Sequence, residues 1–251
     1  MESTDSYSLS VRCVCYIFAG GLLPLINIFL RDCMEAMKEM PDKAYDLAIV
    51  DPPYGIGFDG EVDSMVSHGL DTRWKNRHGN GYTRKEWDKE APDQEYFSEL
   101  RRVSKNQIIW GANHFGLPVS RGWVFWDKGV ASEFTLSDGE LAWTSFKRPV
   151  KCFRFLWAGF RKEVPEVRIH PTQKPVKLYE WLLKNYAKPG DKILDTHGGS
   201  CSIAIACYNL DFDLDCFEID AEYHGKAVKR LEEHKAQGRL FSAVGCSPAK
   251  I

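Results

Sequence analysis

Short apolar runs alternate with amphipathic stretches along most of this chain. The apolar runs predict strands at residues 25–30, 46–51, 107–110, 122–127, 140–144, 192–195 and 214–218. Helical patterns lie between several of them, at 33–40, about 94–102, 175–187, 201–210 and 221–236. This alternation predicts an α/β fold with a doubly wound, mainly parallel sheet.

Two regions depart from that pattern. Residues 58–92 are polar and glycine-containing, which predicts a long functional loop or a mobile insertion. Residues 11–30 are nearly uncharged and about long enough to span a bilayer, but Gly20, Gly21 and Pro24 interrupt them. We therefore expect Leu25–Leu30 to form a buried strand and residues 1–24 to be an uncertain N-terminal extension.

Composition narrows the classes of protein. The 251 residues, 44% of them hydrophobic, suffice for one large domain, which we place at 25–240 with a C-terminal tail at 241–251. A net charge of −2 means that any nucleic-acid surface must be a local patch. The eight cysteines form no C-x-x-C pair, so we expect no metal site. Scattered reduced thiols are typical of a cytoplasmic protein, which is what we expect here. We also expect no membrane partner.

The stretch DLAIVDPPYGIG, Asp46 to Gly57, brings chemistry to the end of a predicted strand. The apolar run ends at Asp51, and two prolines then stiffen the chain and remove two backbone donors. A carboxylate and the ring of Tyr54 thus reach the carboxyl end of a parallel strand, where open α/β sheets bind ligands.

A second signal lies between Gly190 and Asp220. A strand ends at Asp195, Gly198 and Gly199 form a turn, a helix follows, and a second strand ends at Glu218. This arrangement is typical of sites that hold the adenosine half of a nucleotide-like ligand, although an ordinary strand–helix–strand crossover has the same outline.

Between these signals stands IHPTQKPVKLYEWLL, residues 169–183. Its polar side chains and the start of the following helix suit a carboxylate ligand. A plain polar loop before a helix is the alternative interpretation.

In this order, DPPYG, HPTQKP and LDTHGGSCS…FEID resemble the S-adenosylmethionine-dependent DNA adenine-N6 methyltransferases. More narrowly they resemble the permuted, beta-type group, whose catalytic motif precedes the cofactor motif. The resemblance runs from about Leu25 to His234. It implies a Rossmann-like methyltransferase fold, with inserted loops for DNA recognition at 58–92 and about 128–168.

The resemblance also implies catalytic roles for Asp51, Pro52, Pro53 and Tyr54. The Asp51 carboxylate and the Pro52 carbonyl would accept the two hydrogens of an adenine amino group. Tyr54 would stack on a base that has left the DNA helix. The prolines would hold these acceptors rigid.

The implied cofactor is S-adenosyl-L-methionine. Asp195 and the turn through Gly198 would hold its methionine part, Glu218 its ribose, and Asp32 either its adenine or merely a helix start. The full expected set is Asp32, Cys33, Asp51, His170, Thr172, Gln173, Lys174, Asp195, Thr196, Gly198, Ser200, Glu218 and Asp220. Cys201 departs from the family's usual glycine and adds a Cβ to the expected cofactor loop.

The implied partner is double-stranded DNA with its target adenine flipped out. We expect contacts from Arg73, Lys75 and Arg77 and from Lys147, Arg148, Lys151 and Arg154. The second set lies in 146–163 among Phe146, Phe153, Phe155, Trp157 and Phe160, which could also mark an edge strand with a core face. A homodimer and a cognate restriction endonuclease, as in restriction-modification systems, are compatible with this interpretation.

Other functions remain open on the sequence. Cytosine-N4 relatives tend to carry serine, and glutamine-directed relatives asparagine, where this chain has Asp51. A DNA-binding relative that has lost turnover is a third alternative, suggested by Cys201.

Overall fold

The computed structural model describes residues 17–18, 21–57, 85–129, 137–158, 161–163 and 166–243. Its strands, in chain order, are β1 (Ile17–Phe18), β2 (Gly21–Leu22), β3 (Ile26–Leu30), β4 (Tyr45–Val50), β5 (Ser104–Trp110), β6 (Gly122–Asp127), β7 (Gly139–Thr144), β8 (Lys151–Arg154), β9 (Trp157–Ala158), β10 (Arg161–Lys162), β11 (Lys192–Asp195) and β12 (Asp213–Glu218). Its α-helices are α1 (Cys33–Glu39), α2 (Gln94–Val103), α3 (Val176–Tyr186), α4 (Ser202–Asn209) and α5 (Ala221–Ala243).

One large sheet organises the molecule. Its eight strands lie in the order β3-β12-β11-β4-β5-β7-β6-β8. The five strands from β3 to β5 are parallel, whereas β7 is antiparallel to both β5 and β6. The chain winds outward from β4 to β5 and from β11 to β12, so the topological switch point lies between β4 and β11. Ligands of open α/β sheets bind at such a point.

Alternating side chains of the central strands enter two separate cores. In β4, Leu47 and Ile49 pack into the core beneath α3 and α4. Ala48 and Val50 pack on the opposite face, beneath α1 and α2. A strand that is buried on both faces has a continuous run of apolar residues in its sequence. The helices on both faces of the sheet complete the predicted doubly wound α/β fold.

The predicted strands and helices are present, with one correction. We predicted that Leu25–Leu30 would form a buried strand, but β3 is an edge of the sheet, and 41% of Phe29 and 52% of Leu30 is exposed. An apolar run does not distinguish an edge strand from a central one, because partner strands on each side are decided by distant sequence.

Helix α2 begins at a capping aspartate. Asp93 Oδ1 accepts a hydrogen bond from the backbone N–H of Tyr96 at 2.9 Å and so caps the start of α2. No helix among the described residues is long and apolar enough to cross a membrane.

Candidate active site

Two of the predicted motifs meet at the switch point. Asp51 follows β4, and Asp195 ends β11, the neighbouring parallel strand in which Leu194 pairs with Ala48. The carboxyl ends of adjacent parallel strands lie at one edge of a sheet, so the strand order itself brings these two carboxylates to the same crevice.

The turn after Asp51 is anchored by Asp88, a residue that the sequence did not single out. The Asp88 Oδ1 atom accepts hydrogen bonds from the backbone N–H groups of Tyr54 at 2.6 Å and Gly55 at 3.0 Å. The Asp88 carbonyl accepts another from Gly57 at 2.9 Å. Asp88 is 3% exposed. It follows residues 58–84 in the sequence, and its hydrogen bonds hold the DPPYG turn in place.

Tyr54 points into the site. Its hydroxyl donates to Asp51 Oδ1 at 2.8 Å, and its ring stacks on that of His114 with centroids 5.0 Å apart. A Cβ at Gly111, which has a φ of 67°, would lie 2.0 Å from the Tyr54 ring. Only glycine therefore leaves room for this ring, which explains the glycine that follows β5.

Lys174 lies beside Asp51. Its side chain is 3% exposed, and its Nζ donates to Asp51 Oδ2 at 2.5 Å. Burial acts to lower the pKa of Lys174, but the carboxylates of Asp51 and Glu140 outweigh it and raise that pKa above its ordinary value. We expected Lys174 in the cofactor set, and its ammonium group donates to Asp51, which we expected in both the catalytic and the cofactor sets.

Glu140, on β7, completes a four-charge cluster. Its Oε2 lies 2.9 Å from Lys174 Nζ, and its Oε1 lies 2.7 Å from Lys128 Nζ. Burial acts to raise the pKa of Glu140, but the two ammonium groups lower it to about 2. Burial also raises the pKa of Asp51, an effect that Lys174 opposes and Glu140 reinforces. A charged residue near the start of a predicted apolar strand was the only sequence signal for Glu140.

Asp195 is a buried carboxyl group at the end of β11. It is 2% exposed, and its Oδ1 accepts a hydrogen bond from the His197 N–H at 3.0 Å. Burial raises the pKa of Asp195 to about 7, although this hydrogen bond opposes the change. Next to it, the Thr196 hydroxyl lies 2.7 Å from that of Tyr96 on α2.

The glycine turn and Glu218 contact each other directly. Gly199, with a φ of 51°, donates its N–H to Glu218 Oε2 at 2.6 Å. Glu218 Oε1 accepts from the Asp220 N–H at 2.8 Å. Burial raises the pKa of Glu218, against these two backbone donors. A carboxylate accepts about four hydrogen bonds, so Glu218 keeps acceptor capacity for a ligand.

Cys201 adopts the backbone conformation that glycine favours. Its φ of 47° and ψ of 40° lie in the left-handed region, which explains why a glycine suits this position. The side chain is 2% exposed, and its Sγ lies 3.4 Å from Cys216 Sγ. The added Cβ therefore enters the core beneath the turn, where it packs against β12.

His170 forms part of an aromatic cluster against this turn. Its ring lies 4.3 Å from the Tyr223 ring and 5.3 Å from the Trp87 ring, between centroids. Burial lowers the pKa of His170 to about 3, and Lys174 adds to the effect, so the imidazole is neutral. Lys85 Nζ, over the Tyr223 ring, pairs with Asp220 at 2.6 Å.

The other residues of the HPTQKP motif differ in their availability. Thr172 is exposed, and its hydroxyl lies 3.1 Å from His170 Nδ1. Gln173 is buried: its side-chain carbonyl accepts from the Ile169 N–H at 2.9 Å, and its amide donates to the Val167 carbonyl at 3.2 Å. The Gln173 side chain therefore holds its own loop together.

Arg230, on α5, connects the glycine turn to the HPTQKP segment. Its guanidinium donates to the Ser200 carbonyl at 2.9 Å and to Glu166 Oε2 at 2.8 Å. Glu166 Oε1 in turn accepts from the Val176 N–H, at the start of α3, at 3.4 Å. The expected residue Ser200 is thus positioned by a helix on which the sequence predicted no functional residue.

Asp32 and Cys33 lie at the start of α1, beside the end of β12. Asp32 Oδ1 accepts from the Glu35 N–H at 2.9 Å and caps the helix, which confirms that interpretation of the residue. The Arg31 N–H donates to the Glu218 carbonyl at 3.0 Å, so Asp32 and Glu218 lie at one end of the sheet.

The expected DNA-contacting residues fall into two groups. Arg73, Lys75, Arg77 and also Phe160 lie outside the described residues. Lys147, Arg148, Lys151 and Arg154 are exposed, on or next to the edge strand β8.

The aromatic residues of the 146–163 segment that the structure describes face the core. Phe155 and Trp157 are buried, and Phe146 and Phe153 pack against the same core. The structure confirms an edge strand with a core face: Phe153 lies on the edge strand β8, and all four aromatic residues that it describes pack on the core. The exposed basic side chains are left as the candidates for contact with phosphates.

Comparisons with known proteins find similar DNA methylases. A family model described as a DNA methylase matches residues 119–229. The Escherichia coli (strain K12) protein YubD, described as a methylase, is 25% identical over 80% of this chain and 87% of its own. The type II methyltransferase M2.MboI of Moraxella bovis is 23% identical over 82% of this chain and 88% of its own. The chain is therefore similar to DNA methyltransferases over about four fifths of its length.

Solved methyltransferase structures share its fold. The M1.HpyAVI–SAM complex superposes with a TM-score of 0.51 at 20% identity, covering 82% of this chain and 100% of that one. The cytosine-N4-specific PvuII DNA methyltransferase gives 0.54 at 13% identity, covering 85% of this chain and 91% of that one. These likenesses establish a Rossmann-like methyltransferase fold for the chain.

Proposed function

We propose that this DNA methyltransferase transfers a methyl group from S-adenosyl-L-methionine to the N6 amino group of adenine in double-stranded DNA. The observation that carries the proposal is the Asp51 carboxylate, held at the carboxyl end of β4 beside Asp195. The methylase relatives and the SAM complex among the similar folds support the cofactor and the substrate class.

Asp51 and the rigid turn after it suit an amine acceptor. The lone pair of an adenine amino nitrogen is delocalised into the ring, so the nitrogen is a weak nucleophile. Hydrogen bonds from its two N–H groups to Asp51 and to the Pro52 carbonyl would stabilise the positive charge that develops on nitrogen. Pro52, Pro53 and the Asp88 anchor hold these acceptors in place, which limits reorganisation during the reaction.

Tyr54 must exchange partners when a base enters. Its hydroxyl bonds to Asp51 Oδ1, the atom that an amino group would need. We infer that the ring moves off Asp51 and stacks on the extruded base, since the stacking partner His114 already orders the ring plane.

The residues opposite Asp51 fit S-adenosylmethionine, which supplies the methyl group as a cationic sulfonium when bound. Asp195 would place a carboxyl group near the reacting centre, and Gly198 and Gly199 allow close approach of the backbone. Glu218 would accept from the ribose hydroxyls with its remaining lone pairs. His170 and Thr172 would contact the methionyl carboxylate.

DNA contact is proposed for the exposed basic residues. Lys147, Arg148, Lys151 and Arg154 are presented next to the β8 edge, and Arg154 is 79% exposed by its side chain. Arg73, Lys75 and Arg77 follow the catalytic turn in sequence and would reach the duplex beside the extruded base. The insertions at 58–92 and about 128–168 would then form the recognition surface of a single domain at 25–240.

Several finer assignments accompany this proposal. The order of catalytic and cofactor motifs supports the permuted, beta-type group. A DNA substrate and free thiols at Cys33, Cys152, Cys201, Cys207 and Cys216 favour a cytoplasmic location. A homodimer and a cognate endonuclease remain compatible partners. The fold match to a cytosine-N4 enzyme does not favour N4 chemistry, because likeness at 13% identity shows the fold alone.

The product identifies the reaction. Plasmid DNA is incubated with the protein and labelled S-adenosylmethionine, digested to nucleosides and separated. We expect N6-methyladenine as the labelled nucleoside, with none from Asp51→Ala, whose cofactor affinity by calorimetry stays near wild type. Labelled N4-methylcytosine would overturn the choice of base, and cofactor binding without any labelled nucleoside would identify a relative without turnover.

A further inference from the structure

Glu140 reaches the catalytic carboxylate only through another side chain. Its Oε2 lies 2.9 Å from Lys174 Nζ, which donates to Asp51 Oδ2. We propose that Glu140 is a positioning residue that acts on Asp51 through Lys174. This inference rests on the proposed function, since it assigns Asp51 to the acceptor amine.

The geometry directs one oxygen of Asp51 toward the substrate. Lys174 occupies Oδ2, so Oδ1 is the oxygen that remains for exchangeable partners, at present the Tyr54 hydroxyl. Lys174 has three donors, and Glu140 takes one of them, which prevents the ammonium group from turning away from Asp51. The position of Oδ1 therefore depends on a residue of β7, which lies two strands away from β4 in the sheet.

Glu140 also balances the charges of the cluster around Asp51. Lys174 and Lys128 carry two positive charges, and Asp51 and Glu140 two negative ones. A buried ion pair that loses one member leaves an uncompensated charge. Without Glu140, Lys174 would keep Asp51 as its charged partner and the neutral Tyr54 hydroxyl at 3.3 Å, and the lone pairs of Asp51 would be less available to an incoming amino group.

Glu140 also offers Tyr54 a second acceptor. The Tyr54 hydroxyl lies 3.3 Å from Glu140 Oε2 and 2.8 Å from Asp51 Oδ1. As an amino group takes Oδ1, the hydroxyl can pass its hydrogen bond to Glu140, so that it does not lose a partner in a buried site.

Other charged and titratable groups face Asp51 from the surrounding elements. They are Asp195 of β11, Tyr96 of α2, Tyr179 of α3, His114 behind Tyr54, and Lys128 behind Glu140. A change at Glu140 leaves all of these in place, so its effect on Asp51 can be measured separately.

The test is the pH dependence of methyl transfer by Glu140→Gln. We expect unchanged cofactor and DNA affinities, a kcat roughly 10- to 100-fold lower, and an acid limb of the kcat profile at lower pH. The limb moves because removing a negative neighbour lets Asp51 ionise at lower pH. A kcat loss with an unmoved limb would show a merely structural role and overturn the inference, as would an unchanged kcat.

Three companion variants keep the test decisive. Lys174→Gln removes the cation and should move the acid limb to higher pH, opposite to Glu140→Gln; movement in the same direction would contradict the account. Glu140→Asp keeps the charge and should retain the wild-type limb with a kcat loss below about tenfold; a displaced limb counts against the inference even if Glu140→Gln does not fold. Asp138→Asn, exposed in the same segment, is the matched control.

The wild-type protein separates the two proposals. If it transfers no methyl group to DNA, the proposed function fails. If it does, and the Glu140 variants behave like wild type in kcat and pH profile, the role of Glu140 alone fails.

Discussion

Two aspartates, the buried Asp215 and the partly buried Asp51, lie near opposite ends of the parallel strands and share the same kinds of partner except one. At the amino end, Asp215 accepts from the Tyr45 hydroxyl at 2.8 Å and pairs with Lys192 at 2.6 Å. At the carboxyl end, Asp51 likewise accepts from a tyrosine hydroxyl and a lysine, those of Tyr54 and Lys174.

Asp215 and Asp51 differ in their third partner. Asn27 donates to Asp215 at 2.7 Å, whereas near Asp51 the lysine is shared with a second carboxylate, Glu140. Burial acts to raise the pKa of Asp215, but Asn27, Lys192 and Tyr45 outweigh it and lower that pKa. The pKa of Asp51 is raised. The amino-end cluster thus satisfies its carboxylate, and the carboxyl-end cluster keeps its carboxylate ready for a ligand.

The stability of the amino-end cluster gives the largest expected effect on folding. Asp215→Ala removes the acceptor of three donors, two of them largely buried, and should lower the free energy of unfolding by about 2–4 kcal/mol at pH 7. Because the pKa of Asp215 is lowered, this contribution is present above the ordinary carboxyl pKa and is lost as pH falls below it. Urea unfolding at pH 7 and at acidic pH measures both. A loss below about 0.5 kcal/mol would remove Asp215 from the structural role.

Asp195 should behave oppositely with pH. Its pKa is raised to about 7, so its contribution to stability is present below the ordinary value and is lost as pH rises to about 7. Asp195→Asn, which keeps an acceptor for the His197 N–H, should therefore be more stable than wild type by roughly 1–3 kcal/mol at pH 8, with the difference vanishing near pH 4. Thermal melts across this range test it. A variant less stable at pH 8 would show that the charge is compensated in the folded protein.

Glu218 should affect cofactor binding. Glu218→Ala should weaken binding of S-adenosylmethionine by roughly 1–3 kcal/mol, because ribose hydroxyls would lose their buried acceptor. Calorimetric titration measures the dissociation constant, and Glu222→Ala, a carboxylate four residues on, is the control. An unchanged constant for Glu218→Ala would place the ribose elsewhere.

The sequence predicted the carboxyl-end site only where local motifs mark it. Asp51, Tyr54 and the glycine turn stand at strand ends, so periodicity alone brought them to one edge of the sheet. Glu140, Lys128 and Asp88 carry no such mark, because the order β4-β5-β7 and the docking of Asp88 are tertiary facts.

The sequence also predicted neither the amino-end cluster nor the edge position of β3, because both depend on contacts between distant parts of the chain. Asn27, Tyr45, Lys192 and Asp215 come from four strands and meet only once the sheet has formed. The apolar run at β3 predicted burial, yet no strand among the described residues pairs with its outer side. Which strand lies at an edge is decided by the whole topology.

We propose that Asp51, at the carboxyl ends of the strands, serves catalysis, and that Asp215, near their amino ends, stabilises the fold. The direct measurement is the initial rate of N6-methyladenine formation by Asp51→Asn and Asp215→Asn, each per folded molecule. The account predicts that Asp51→Asn is slower than wild type by at least about a thousandfold, because it loses an interaction made in the transition state, while Asp215→Asn stays within about threefold. Equal rates for the two variants would contradict it.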